Sequence, residues 1–197
     1  MVEHPFNIEL MNNTLNIESF KFYIQQDTLF LDDYIRALLI IASKVEDIVQ
    51  LVEVARGTIA ISRVLYEHYF TVYGIRQGEK SLACFNFTNF LLSTAYNDTY
   101  EAITVLYSCL FIYRTVILSM KHKFKKNNKY KDWFDFYSGG VVESGCCVLE
   151  SIVDKYCSRV GESGRRRMLE LFRITAQFEL DFWSSAYNFQ NSTISYS

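Results

Sequence analysis

The sequence predicts an all-α protein, a single helical bundle, on three observations. The one proline, Pro5, stands at the start, so no later segment is forced to break a helix. The apolar segments are long, and their spacing follows a helix rather than an alternating strand. Half of the 197 residues are hydrophobic and 16% are aromatic, enough apolar surface to close a core and too much for a disordered or collagen-like chain.

The elements follow in order. A first helical pair is expected from about Glu18 to Ser43, with Asn16 as its N-cap. The next stretch begins at Ser43, where Ser43 and Glu46 have capping-box spacing, and ends at Gly74. A third pattern covers Phe87 to Tyr96. After Asn97-Asp98 a fourth runs from Thr99 to about Phe124, apolar on nearly every side as far as Arg114, which suits the centre of a bundle. A short aromatic helix, Tyr130 to Tyr137, closes on Ser138-Gly139-Gly140. The last two helices span Val141 to Arg159 and Gly164 to Tyr187. No Pro- or Ser-rich linker and no repeat divides residues 1–197, so one domain is expected.

Charge and cysteine usage remove several functions. A net charge of −2 offers no field for nucleic-acid phosphates, and the basic run Lys121 to Lys131, with Asn127 and Asn128, reads as a solvated helix end and loop. Five cysteines, with no CxxC pair and no opening that resembles a secretory signal, argue against disulfides and a tetrathiolate zinc site. Cys146 and Cys147 are expected to be packing residues, and Cys84 and Cys157 carry no informative context. The longest uncharged apolar stretch, Ala102 to Tyr113, is shorter than the ~20 residues that cross a bilayer. The expectation is a soluble protein of the reducing cytoplasm, with no membrane or nucleic-acid partner.

Chemistry enters where polar residues face inward. At ~100° per residue, Phe20, Tyr23, Leu31, Tyr34 and Leu38 all fall within about 40° of Asp27, whereas Asp32 and Asp33 point elsewhere. On the last helix Met168, Phe172, Thr175, Phe182 and Ala186 share an arc that contains Glu179. A carboxylate facing a core is costly unless it is paired or used, and no Lys or Arg shares either stripe. A tyrosine hydroxyl or backbone amide could satisfy each acid separately; two of them in one chain favour a shared polar pocket. Cys109 lies midway along the most apolar helix, one turn before Tyr113 on the same face. Beside a carboxylate such a thiol can become a nucleophile. The three histidines, His4, His68 and His122, form no Glu-x-x-His pair, so no metal site of the di-iron kind is expected and any base for Cys109 is a carboxylate. No GxGxxG or P-loop element is present. Rings cluster around these groups: Tyr23, Phe30 and Tyr34 near Asp27, Phe87 and Phe90 on the third pattern, Trp133 and Tyr137 before the glycine pair. Flat walls with a few polar tips suit a flat heteroaromatic ligand.

His4-Pro5-Phe6, the run Phe22-Tyr23-Ile24-Gln25-Gln26-Asp27-Thr28-Leu29-Phe30-Leu31 and the closing Glu179-Leu180-Asp181-Phe182-Trp183-Ser184-Ser185-Ala186-Tyr187 resemble the TenA/THI-4 family, in order and spacing, from near residue 4 to the end. The resemblance implies a haem-oxygenase-like fold, a homotetramer without a cofactor, and thiaminase II activity: hydrolysis of aminopyrimidines or thiamin that feeds hydroxymethylpyrimidine salvage. It implies that Asp27 binds the edge of the aminopyrimidine, that Cys109, within Leu106-Tyr107-Ser108-Cys109, is the nucleophile, and that Glu179 is the acid/base. Tyr113 and Tyr137 would be pocket tyrosines, Phe30 a stacking ring, and Phe87 would stand where the family often has tyrosine. The chain departs from the family pattern at Ser108, usually proline, at Ser62 and Tyr66, often Glu and His, and in opening almost at His4-Pro5-Phe6. A pyrimidine-binding or regulatory protein is the alternative from another class; a metal-dependent oxidase and a ligand-free bundle are the others.

Overall fold

The computed structural model describes residues 1–121, 123–124 and 127–188. It is an all-α bundle, with no strand among the described residues. The helices are α1 (Pro5–Asn12), α2 (Ile17–Ala42), α3 (Ile48–Val64), α4 (Thr71–Tyr73), α5 (Leu82–Ala95), α6 (Thr99–Met120), α7 (Lys131–Tyr137), α8 (Gly140–Arg159) and α9 (Glu162–Asn188), with a π-helical turn, Leu65–Phe70, joining α3 to α4. Buried residues from almost every helix, among them Phe6, Tyr23, Leu51, Leu106, Trp133, Leu149, Leu171 and Trp183, form a contiguous core.

Helix α1 is not among the elements that periodicity predicts. Its residues form no clear apolar stripe, and local chemistry makes it: Pro5 presets the first turn, the His4 side chain accepts from the Phe6 amide, and Asn13 ends it in a left-handed conformation at φ 66°. Asn128 is buried and donates to the carbonyls of Leu10 and Met11 at 2.8 and 3.0 Å, so the Asn127-Asn128 stretch is not wholly solvated. His122, Lys125 and Lys126 of the basic run lie outside the described residues.

Asn16 caps α2 as expected, accepting from the Glu18 amide at 3.0 Å. The expected pair is one unbroken 26-residue helix, because neither Gly nor Pro interrupts it. Ser43 does not cap α3. Its hydroxyl donates back to the Ile40 carbonyl, closing α2, and Glu46 pairs instead with Lys155 of α8. Helix α5 begins five residues before Phe87, capped by Ser81; its residues Leu82 and Phe85 are exposed and so break the stripe. Cys84, Cys109 and Cys146 are buried and all five thiols are free. Cys147 is exposed rather than packed, because it falls on the outer face of α8 while its neighbour Cys146 takes the inner one.

Helix α6 touches α2, α5, α7, α8 and α9 and occupies the centre. By length and composition it could cross a membrane, which the Ala102–Tyr113 stretch understates because more apolar residues follow Arg114. Over half of that window is buried inside the bundle, which accounts for its apolar character.

Candidate active site

Seven side chains from five helices line one cavity of about 70 Å³: Asp27 and Phe30 from α2, Phe87 from α5, Cys109 and Tyr113 from α6, Tyr137 from α7 and Glu179 from α9. One buried water needs only about 10–15 Å³ by the same kind of measure. Each acid is brought there by the arc on which it sits. Tyr23, one turn before Asp27, and Tyr34, two turns after it, line the cavity with it; Phe182 of α9 does the same beside Glu179.

The electrostatics are those of acids without cations. Among the described residues, no Lys, Arg or His lines the cavity. Asp27 is buried and accepts a hydrogen bond from the Tyr137 hydroxyl. Burial pushes its carboxyl up to about 7, with the Tyr137 hydrogen bond acting the other way. Glu179 is also buried, and among the described residues nothing hydrogen-bonds its carboxyl. Burial, and then the charge of Asp27, push it up to about 8. Burial, and then Glu179, hold the Cys109 thiol well above its ordinary range, so the resting sulfur is a thiol. A tyrosine hydroxyl therefore satisfies Asp27, while Glu179 is left for the cavity.

The walls are rings. Phe30 and Phe87 meet at 4.8 Å between centroids, and Phe87 stacks on Phe178 at 5.5 Å and 10°. Tyr113 and Tyr137 lie 4.9 Å apart. Ser108, where the resemblance implies proline, donates to the Thr104 carbonyl at 2.6 Å, and α6 runs through this position unbroken to present Cys109. Ser62 and Tyr66 do not line the cavity. Asp33, which points away from the Asp27 stripe, is buried and paired with Lys80 and Arg36.

Sequence reasoning misses other parts of the wall. Trp183 stands one turn after Glu179, a spacing that could have marked it. Thr58, Ile61, Leu110 and Val142 give no signal, being ordinary members of apolar stripes.

The TENA/THI-4/PQQC family model matches residues 1–189. The chain is similar to the aminopyrimidine aminohydrolase of Bacillus subtilis, 23% identical over 193 residues that cover 93% of this chain and 82% of that protein. It is also similar to the aminopyrimidine aminohydrolase of Helicobacter pylori, 26% identical over 197 residues, covering 94% and 91%. Among solved structures, a TenA homologue from Pyrococcus furiosus superposes with a TM-score of 0.89 at 24% identity, covering 95% of this chain and 92% of that one.

Proposed function

Since the chain belongs to the TENA/THI-4/PQQC family, we propose that it is an aminopyrimidine aminohydrolase of the thiaminase II type, acting in thiamin pyrimidine salvage. The observation that carries this reading is the convergence of one thiol and two carboxyls, from α6, α2 and α9, on a single ring-walled cavity. Asp27 and the tyrosine hydroxyls hold the edge of the aminopyrimidine against the aromatic walls, Phe30 and Phe87 among them. The Cys109 sulfur bonds to the ring as its proton passes to the ionised form of Glu179, which gains population as pH rises toward about 8. The exocyclic C–N bond breaks, and the amine leaves with a proton from Glu179. Water adds to the exocyclic methylene, returns its proton through Glu179, and the C–S bond breaks to free the thiol. One water is consumed and one amine released. Positioning supplies much of the barrier reduction, and the reading calls on no metal or organic cofactor.

The same reading makes residues 1–197 one catalytic domain of a cytoplasmic homotetramer. Its test is release of hydroxymethylpyrimidine from aminomethylpyrimidine, with thiamin as a second substrate. Cys109→Ser should abolish turnover and still bind hydroxymethylpyrimidine in calorimetry; undiminished turnover in that variant removes the covalent route. Binding without turnover by the unaltered protein makes it a pyrimidine-binding protein instead.

A further inference from the structure

A buried hydroxyl carries a hydrogen that must be given to some acceptor. The hydroxyl oxygens of Tyr23 and Tyr113 lie 2.6 Å apart, and either could be the donor on distance alone. Their surroundings differ. Tyr23 has no solvent-exposed surface and is packed against Phe6, Trp133, Phe182 and Trp183, the last stacked on it at 5.0 Å and 8°. Tyr113 is only partly covered and lines the cavity. If Tyr113 donated, the Tyr23 hydrogen would be stranded among rings, a penalty of roughly 10- to 100-fold in the equilibrium between the two arrangements. The Trp133 indole lies edge-on to Tyr23, with 5.9 Å between ring centroids. It can only donate, so it does not relieve that stranded hydrogen.

We propose that Tyr23 donates to Tyr113 and so holds the Tyr113 hydroxyl as a hydrogen-bond donor into the cavity. The ligand atom that meets Tyr113 is then an acceptor, an unprotonated ring nitrogen or an oxygen. Tyr23 is a positioning residue, its hydroxyl acting through Tyr113.

Neutron diffraction from deuterium-exchanged crystals of the ligand-free chain tests the direction. Deuterium on the Tyr23 oxygen, aimed at Tyr113, is expected; deuterium on Tyr113 aimed at Tyr23 overturns the proposal. The ligand arm rests on the functional reading above. Calorimetry with hydroxymethylpyrimidine should show about a 10-fold loss for Tyr113→Phe, a several-fold loss for Tyr23→Phe, and no further loss in the double variant. Independent, additive losses overturn it. If the unaltered protein binds no hydroxymethylpyrimidine, the functional reading fails, while the neutron result still decides the hydroxyl direction.

Discussion

Asp27 and Glu179 are neutral in the folded chain over a range of pH in which the unfolded chain ionises them. Their ordinary values are 3.8 and 4.5, and in place they stand at about 7 and about 8. Between those limits the folded state holds more protons than the unfolded one, so stability is fully present below the ordinary values and is lost as pH rises through the raised ones. The loss amounts to about 1.4 kcal/mol per pH unit for each group. Thermal melts at pH 5, 6.5 and 8 should therefore fall in midpoint as pH rises, and Glu179→Gln should flatten the trend and melt higher than the unaltered chain at pH 8. A midpoint that climbs from pH 5 to 8 and is indifferent to Glu179→Gln contradicts the burial described. These acids are legible in the sequence because a charge stands out in an apolar stripe. Tyr23 as a hydrogen-bond partner is not, since its hydroxyl direction depends on Tyr113, ninety residues away.

At the scale of elements, α2 has two working faces. One carries Asp27; the adjoining one carries Gln26, which is buried and ties down the segment leading into α5. Its Oε1 accepts from the Ser81 amide at 2.7 Å and its Nε2 donates to the Glu79 carbonyl at 3.0 Å, while Lys80 pairs with Asp33. Gln26→Ala strands two backbone groups and should cost about 1–3 kcal/mol in urea unfolding. Because α5 carries Phe87, affinity for hydroxymethylpyrimidine should fall as well; a variant unchanged in both midpoint and affinity shows that the tie is unimportant. Helices with a continuous stripe, such as α2 and α9, are readable, and so is α6, which is apolar on nearly every side. Helix α1 is not, because its cap and the Asn128 contacts form it rather than periodicity, and the start of α3 is not, because Lys155 of α8 decides what Glu46 does.

For the whole molecule, the bundle explains α6: a helix ringed by five others has no polar face to keep. Apolar side chains remain exposed elsewhere, Ile48, Val49 and Val52 on α3 and Val141 on α8 among them, and are available to an assembly. Light scattering is expected to give four times the 23.1 kDa chain mass, and a single-chain mass removes the tetramer from the functional reading. Asp27, Cys109 and Glu179 each stand well inside a helix, far from its ends. Lengthening or rewriting the connecting loops thus leaves the spacing of the reactive atoms untouched, so sequence drift can be absorbed at the joints while the chemistry stays fixed on its struts.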